Sequence, residues 1–177
     1  MRITGGTYKG RTVKCPKGEI RPAMDRMRES LFSILGNLSG SSFLDLFSGS
    51  GLVGLEAASR GAEPVVLVEK DPGKKRVIRE NMEIAKEDIK LYLMPVQRFL
   101  RQFKTDYDIV YLDPPFPFGQ KVKMVIEVSQ RKIVKPGGLI IIHYPEEDVW
   151  PEKVDDLELI DKRKYGRSIL LFFKKPE

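Results

Sequence analysis

Short apolar runs, separated by turns rich in glycine and proline, dominate the chain from residue 43 onward. Runs of β-branched and large apolar residues bounded in this way are typical of buried strands. Five such strands are predicted, over residues 43–47, 64–69, 90–94, 107–112 and 139–143. Helices are predicted between them, over residues 52–60, 72–85, 96–103 and 120–134. Strands that alternate with helices and are apolar along their whole length predict a parallel sheet covered on both faces.

The alternation of strands and helices ends after residue 143. Residues 157–162 and 168–174 each have the pattern of a strand, and only the short basic segment 163–167 separates them. A parallel connection needs a crossover of about a dozen residues or more, so this pair is predicted to be antiparallel. The expected fold class is therefore α/β, with a mostly parallel seven-stranded sheet that ends in an antiparallel hairpin.

The N-terminal segment has a different pattern. Glycine and lysine are frequent in residues 1–20, and short extended pieces around residues 2–4 and 11–14 predict a small β-arm. Apolar residues then recur at helical spacing, which predicts a helix over residues 26–38 with Asp25 as its N-cap.

Positive charge is concentrated in this segment. The formal net charge is +6, and residues 1–35 contain eight Arg and Lys against three Asp and Glu. A second basic cluster lies at 162–167. This distribution favours an anionic partner, with an ordinary solvated surface as the alternative. The length fits a single domain over 1–177, in which a basic arm and helix (1–40) precede the core (41–177).

Cysteine and histidine occur once each, as Cys15 and His143. No internal disulfide can form, and no Cys/His cluster is available for a metal. The N-terminal residues lack the apolar core of a signal peptide, and no apolar run approaches the roughly 20 residues that span a membrane. We therefore expect a cytoplasmic protein with no metal and no membrane partner. His143, at the end of the fifth strand near the cleft, is interpreted as a histidine whose hydrogen bonds are satisfied, with a general base as the alternative.

A glycine loop, SGSG, follows the first strand. Gly49 and Gly51 allow close approach of a ligand, and the next helix offers unpaired N–H groups. With Gly54 they match a dinucleotide-binding string, but Asp45 would repel a pyrophosphate and suits a cationic amine. Glu69, at the end of the second strand, can accept hydrogen bonds from both ribose hydroxyls. Together these residues indicate S-adenosylmethionine, and a plain strand–helix turn is the alternative.

The fourth strand ends in Asp113-Pro114-Pro115-Phe116, next to the first strand of such a sheet. The prolines lack N–H groups and fix φ, so the loop is stiff and presents bare carbonyl oxygens. Asp113 and the Pro114 carbonyl can accept both N–H bonds of an exocyclic amine whose ring stacks on Phe116. We interpret these four residues as catalytic for methyl transfer to a base that is unpaired or flipped out. A plain turn is again the alternative.

Asp113 also bears on the choice of base. Guanine presents two adjacent donors, N1–H and N2–H₂, which a carboxylate accepts well. Adenine presents a donor beside an acceptor, which an asparagine amide matches better. The carboxylate therefore favours the N2 amine of guanine.

The chain resembles the RsmD-type family of class I S-adenosylmethionine-dependent methyltransferases, which make N2-methylguanine in small-subunit (16S) ribosomal RNA. The resemblance covers nearly the whole chain and is carried by RITGGTYKGR, RPAMDRMRESLFSIL, FLDLFSGSGLVGLEAASRGA, VLVEKD, YLDPPF and YGRSILLFF. The first two segments make it specific. It implies a Rossmann-like class I methyltransferase fold. We expect a monomer that acts on RNA in a ribosomal subunit or an assembly intermediate.

The resemblance also implies roles for individual residues. It gives cofactor contacts by Asp45, Phe47, Ser48, Gly49, Ser50, Gly51 and Glu69, and we expect further ones from Lys70, Val96 and Gln97. It also gives RNA contacts by the basic arm and helix, whose cations include Arg2, Lys9, Arg11, Lys14, Arg21, Arg26 and Arg28. We expect Tyr165 and Arg167, in the second basic cluster, to add to them. The turn at 94–97 departs from the Gly-Asp-Ala of the family, so Gln97 or a backbone group would have to meet the adenine amine.

Two other interpretations stay open. An amino-methyltransferase acting on adenine or cytosine, in DNA or another RNA, would use the same DPPF loop, although no separate target-recognition domain is visible. A non-catalytic RNA-binding module with a vestigial cofactor fold is the other. The joint presence of Asp45, Glu69 and the DPPF loop argues against it.

Overall fold

The computed structural model describes residues 1–16 and 22–177, with side chains from residue 24 in the second segment. The helices are α1 (Pro22–Leu35), α2 (Leu52–Ser59), α3 (Lys75–Met82), α4 (Val96–Gln102) and α5 (Lys121–Gln130). The strands are β1 (Phe43–Leu46), β2 (Val65–Glu69), β3 (Ile89–Leu93), β4 (Tyr107–Leu112), β5 (Val134–Pro145), β6 (Glu158–Tyr165) and β7 (Ser168–Lys174). A 3₁₀ turn, Pro72–Lys74, precedes α3.

The strands form one sheet in the order β3-β2-β1-β4-β5-β7-β6. Strands β1 to β5 pair in parallel, whereas β7 is antiparallel to both β5 and β6. The predicted fold class, with its mostly parallel sheet and C-terminal hairpin, is confirmed. The order reverses between β1 and β4, and ligands of open α/β sheets bind at such a point, beyond the carboxyl ends of the strands.

Both faces of the sheet are covered, because the central strands are apolar on both sides. Phe43 and Leu67 pack against α1, α2 and α3, whereas Leu44 and Val66 pack against α4 and α5. This division follows the two-residue repeat of a strand. The edge strand β6 is largely exposed and carries the cations of 162–164, which disfavour pairing with another chain.

The boundary between α5 and β5 differs from the prediction. The helix ends at Gln130 rather than at 134, because Lys132 adopts a left-handed φ of 58°. Val134 already pairs with Tyr107, and the register then shifts so that Ile109 pairs with Leu139. Residues 135–138, which have the pattern of a turn before a strand, therefore lie in a bulge within β5.

Helix α1 also begins earlier than predicted. It starts at Pro22, whose fixed φ suits the first helical turn. Asp25 therefore lies inside the helix and is not the N-cap; its carboxylate accepts a 3.0 Å hydrogen bond from Arg28. The helix ends at Leu35 because Gly36, with φ of 68°, is left-handed.

The predicted N-terminal arm is present as an antiparallel bridge between Arg2 and Thr12. Ile3 and Val13 are buried against α2. Gly6 has φ of 78°, and a Cβ there would collide with the backbone at the end of α2. The arm is therefore packed on the core and does not extend away from it.

Candidate active site

A cavity of about 630 Å³ opens at the carboxyl ends of β1, β2 and β4, where the strand order reverses. Its walls come from the loop after β1, the end of β2, the start of α4 and the loop after β4. Met1, Cys15 and Met24 of the N-terminal segment form a further wall. A volume of this size suits a small organic ligand or cofactor.

The loop after β1 lines the cavity through Phe47, Ser48, Gly49 and Ser50, four of the residues predicted to contact the cofactor. Phe47 and Gly49 adopt left-handed φ values of 64° and 57°, which turn the chain from β1 toward α2. The hydroxyl of Ser48 is buried and has no hydrogen-bond partner among the residues that the structure describes. Buried hydroxyls normally have partners, so this one suits a polar ligand in the cavity.

Glu69 ends β2 and is 7% exposed on the cavity wall. Its Oε2 accepts a 2.8 Å hydrogen bond from the N–H of Gly49, and its Oε1 accepts a 3.0 Å bond from the N–H of Asp71. The carboxylate therefore joins two loops and is held in one orientation. Each oxygen keeps further capacity to accept, which suits the ribose hydroxyls. Lys70 lines the same wall.

Asp45 and Gly51 are not among the residues that line the cavity, and contact of either one with the cofactor stays a prediction. Asp45 is 1% exposed, and its Oδ2 accepts a 3.1 Å hydrogen bond from the N–H of Gly54 in α2. Gly51 has φ of 82°, and a side chain there would meet Leu67 of the core. Both residues hold the conformation of the loop between β1 and α2, Asp45 through its hydrogen bond to α2 and Gly51 through its left-handed backbone.

Carboxylates converge at this end of the sheet. Burial raises the pKa of Asp45 well above its ordinary value. The negative charge of Asp113 raises this pKa further, the Gly54 N–H opposes the shift, and Glu69 adds to it. Asp113 and Glu69 both line the cavity. The resulting negative potential favours a ligand that carries positive charge.

The start of α4 supplies another wall. Val96 and Gln97, which were predicted to contact the cofactor, line the cavity, and Val96 is buried. Across the cavity, the rings of Phe47 and Phe118 lie 5.7 Å apart between centroids. An apolar wall with one amide suits a planar heterocycle that has a polar edge.

The DPPF loop, residues 113–116, lines the cavity along its whole length. Asp113 directly follows β4, and its Oδ1 lies 2.8 Å from Nδ1 of His143 on β5. The N–H of Phe118 donates a 2.9 Å hydrogen bond to the carbonyl of Pro115, which turns the loop toward α5. Asp113, the two prolines and Phe116 thus border the same cavity as the glycine loop.

Lys121, the first residue of α5, anchors the DPPF loop. Its Nζ donates a 2.6 Å hydrogen bond to the carbonyl of Phe116 and pairs with Oδ2 of Asp148 at 2.5 Å. The lysine side chain is only 5% exposed. This role could not be predicted from the sequence, because a lysine at a helix start is usually solvated and Asp148 is distant in sequence.

His143 and Tyr111 also line the cavity and were not assigned to the site from the sequence. Nε2 of His143 is buried without a partner among the described residues, so the expectation of a satisfied histidine is wrong. Burial raises the pKa of the Tyr111 phenol well above its ordinary value; the charges of Asp113 and Asp45 and a hydrogen bond to Asp113 add to this. The spacing in the sequence could have placed Tyr111 at the site, because residues two apart along a strand lie on the same face and Tyr111 is two residues before Asp113.

The residues predicted to bind RNA are mostly on the surface. The exposed ones are Arg2, Lys9, Arg11, Lys14, Arg26 and Arg167. Lys14 and Arg167 form surface ion pairs, and the hydroxyl of Tyr165 hydrogen-bonds to Ser30. Arg21 lies outside the described residues. RNA contact by these side chains stays a prediction.

Arg28 is an exception that corrects the prediction. Its side chain is 4% exposed. The guanidinium donates to Asp25 at 3.0 Å, to Glu56 at 3.3 Å and to the carbonyl of Arg2 at 2.6 Å. A buried guanidinium with these partners does not grip a phosphate at the surface. It joins α1, α2 and the N-terminal arm.

Glu56, the partner of Arg28 on α2, was not predicted to have a role. It is fully buried in α2, and its Oε1 accepts hydrogen bonds from the N–H (2.8 Å) and the hydroxyl (2.7 Å) of Thr4. Its Oε2 accepts from Gly5 at 3.3 Å and lies 3.6 Å from Nε of Arg60. In the sequence, only the position of this carboxylate within the apolar stretch of α2 indicated that Glu56 could be buried with partners.

The described segments contain no group of three or more His, Cys, Asp or Glu arranged to hold a metal ion. Within the same residues, none of the helices is both long enough and apolar enough to cross a membrane.

A family model described as "Conserved hypothetical protein 95" matches residues 1–174. The chain is similar to YlbH of Bacillus subtilis, with 31% identity over 99% of both chains. It is also similar to ribosomal RNA small subunit methyltransferase D of Haemophilus influenzae, with 32% identity over 80% of this chain and 77% of that protein. The solved structure of yhhF from Escherichia coli matches with a TM-score of 0.90 and 29% identity, over 99% of this chain and 98% of that one. The chain therefore belongs to the Conserved hypothetical protein 95 family, the RsmD-type family whose motifs its sequence carries.

Proposed function

We propose that this chain transfers a methyl group from S-adenosylmethionine to the exocyclic N2 amine of a guanine in small-subunit (16S) ribosomal RNA. One observation carries the proposal: the amine acceptors of the DPPF loop share a single cavity with Glu69 and the glycine loop. The printed name of the Haemophilus influenzae relative, a ribosomal RNA small subunit methyltransferase, supports the substrate class.

The cavity has groups that fit this cofactor. The unpartnered hydroxyl of Ser48 and the oriented carboxylate of Glu69 can take its polar groups, and Val96 and Gln97 can take its adenine. The converging carboxylates favour its positive charge. When bound, S-adenosylmethionine supplies a methyl group activated by a sulfonium.

The task of the DPPF loop is to present the amine. Asp113 and the carbonyl of Pro114 accept its two N–H bonds, which draws the nitrogen lone pair out of conjugation and aims it into the cavity. Phe116 stacks on the ring. Lys121 holds the loop through the Phe116 carbonyl at 2.6 Å. Because so activated a methyl group needs no strong base, positioning is the main contribution of the protein.

The substrate guanine must leave its helix to reach this cavity, so it is unpaired or flipped out. The exposed cations Arg2, Lys9, Arg11 and Arg26 lie on the arm and helix that form one cavity wall, where they would neutralise backbone phosphates. We place the reaction in the cytoplasm, on a ribosomal subunit or an assembly intermediate.

We further propose that the chain acts as a monomer and as one domain. The support for one domain is the hydrogen bonding of Thr4 and Gly5, in the arm (1–40), to Glu56 of the core (41–177).

The test of the function is transfer of labelled methyl from S-adenosylmethionine to unmethylated small ribosomal subunits, followed by digestion to nucleosides. We expect a labelled N2-methylguanosine peak. Labelled methyladenosine or methylcytosine would overturn the choice of base while retaining methyl transfer. Tight cofactor binding without any label would instead favour a different substrate or a non-catalytic RNA-binding module.

Replacing Glu69 with alanine should weaken binding of S-adenosylmethionine by about 10- to 100-fold, because each hydrogen bond to a charged group is worth about 1.5–3 kcal/mol. The change in Kd is measured by isothermal titration calorimetry. Glu83→Ala is the control, because Glu83 is an exposed acid outside the cavity walls. An unchanged Kd in the Glu69 variant would contradict the assignment of the ribose to this carboxylate.

A further inference from the structure

His143 is the immediate partner of the residue that accepts the substrate amine. It lies on β5, where the preceding residue, Ile142, pairs with Leu112 at the end of β4. Its Nδ1 is 2.8 Å from Oδ1 of Asp113, and its ring meets the ring of Phe116 edge-on, with centroids 5.3 Å apart and planes at 71°. One side chain thus contacts both the acceptor and the stacking face of the DPPF loop.

Burial makes this contact unusual. The side chain of His143 is 2% exposed, and Nε2 has no hydrogen-bond partner among the described residues. A buried nitrogen without a partner costs stability, and a phenylalanine or leucine would fill the same space without that cost. Local features that oppose stability are concentrated at functional sites. The bond to Asp113 is the one polar interaction of the ring in the described structure that offsets this cost.

The chemistry of the pair fixes the direction of the hydrogen bond. An ionised carboxylate only accepts, so Nδ1 must carry the proton and donate it to Oδ1, which leaves Nε2 as a bare acceptor. The carboxylate of a free aspartate rotates readily about its last bond. The donor on β5 restricts that rotation together with the Tyr111 hydroxyl, which also bonds to Asp113, and the carboxylate retains further lone pairs for the substrate.

We propose that His143 is a positioning residue for methyl transfer, which holds the Asp113 carboxylate in the orientation that accepts the substrate amine. The inference rests on the proposed function and adds a role that the DPPF motif does not contain. His143 acts through Asp113, and the ring contact with Phe116 lets the same side chain set the distance between the acceptor and the stacking face.

The test uses two substitutions that separate donation from packing. His143→Phe keeps an aromatic ring against Phe116 and removes the donor. His143→Asn loses the ring but places an amide N–H at the same distance along the side chain as Nδ1. We expect His143→Phe to lower kcat by about 10- to 100-fold, because small misplacements of reacting groups cost this much. His143→Asn should retain kcat within about threefold of the wild type, by restoring the donor.

Measurements besides turnover separate positioning from folding. In His143→Phe the Tm should be unchanged or higher, because the unpartnered Nε2 is gone, and the Kd for S-adenosylmethionine should be unchanged. In a background of Asp113→Ala, which has no acceptor left to orient, His143→Phe should cause no further loss, because His143 acts through the Asp113 carboxylate. Equal loss of kcat in both His143 variants together with a lower Tm would overturn the proposal in favour of a packing role, as would full activity of His143→Phe.

The tautomer provides a test that does not depend on substrate. ¹⁵N spectra of the single imidazole should show the proton on Nδ1 in the wild type, and this form should lose its dominance in Asp113→Ala. A proton on Nε2 in the wild type would overturn the inference, because Nδ1 would then accept a proton from Asp113. Failure of the proposed function is distinct from this result, because it would appear as a wild-type enzyme that labels no nucleoside while the Nδ1–H form is present.

Discussion

Replacing Asp113 with alanine is expected to lower kcat for methyl transfer by about 100- to 1000-fold, the effect of removing one oriented polar group from a reacting centre. The Kd for S-adenosylmethionine should stay within about twofold, because the cofactor contacts assigned here lie on the β1 loop, β2 and α4. The change removes the proposed acceptor of the amine and leaves Nδ1 of His143 without its hydrogen-bond partner.

Single-turnover kinetics with labelled cofactor measure this change apart from product release. Asp113→Asn should keep part of the activity, because an amide oxygen still accepts one N–H bond. Asp161→Ala serves as the matched control, because Asp161 lies on β6 in a surface ion pair with Arg163. Activity of Asp113→Ala within a few-fold of the wild type would remove Asp113 from the mechanism.

Replacing Glu56 with alanine is expected to lower the free energy of unfolding by about 3–5 kcal/mol, the usual cost of removing one partner from a buried ion pair. The loss leaves Arg28 and the backbone N–H groups of Thr4 and Gly5 without the carboxylate that they bond to. Equilibrium unfolding in urea measures the change. A fall in Tm of about 10 °C should accompany it in a domain of this size.

The control for Glu56 is Glu127→Ala, which breaks the exposed pair between Glu127 on α5 and Arg131 at the end of this helix, and should cost less than about 0.5 kcal/mol. Hydrogen exchange distinguishes loss of the arm from global unfolding, because the amides of Thr4 and Gly5 should lose protection first. Equal stability of the two variants would show that the network between α1, α2 and the arm contributes little to folding.

The substitutions of Asp113 and Glu56 affect different sides of the same cavity. Asp113 belongs to the wall formed by β4, whereas Arg28, the partner of Glu56, belongs to the wall formed by α1. Asn81 adds a link between the arm and the glycine loop, since its amide donates to the carbonyls of Lys14 and Ser50 at 2.8 and 2.9 Å. Docking of the arm and the shape of the cofactor loop are therefore physically connected.

Local patterns in the sequence determined the order of elements, the parallel sheet and the antiparallel hairpin, because alternation, apolar runs and turn residues act over a few neighbours. The same patterns located the cavity, since the glycine loop and the DPPF loop both follow strands. They misplaced the end of α5 and the start of β5. Val134 pairs with Tyr107 on the neighbouring strand, whereas the residues that follow Val134 have the pattern of a turn, so the local sequence does not indicate a strand there.

The sequence by itself thus determined the fold class, the family motifs and which loops form the cavity. Only the tertiary structure decided which charged side chains line the cavity and which are buried in contacts that hold the fold together. Asp45 and Arg28 are buried and hydrogen-bond within the fold. Lys121 and His143 instead hydrogen-bond to residues of the DPPF loop. Each of these outcomes depends on a partner on another element, such as His143 thirty positions beyond Asp113. A charged side chain can be buried only where packing brings it polar or charged partners from other elements. The local sequence pattern does not show which partners these will be.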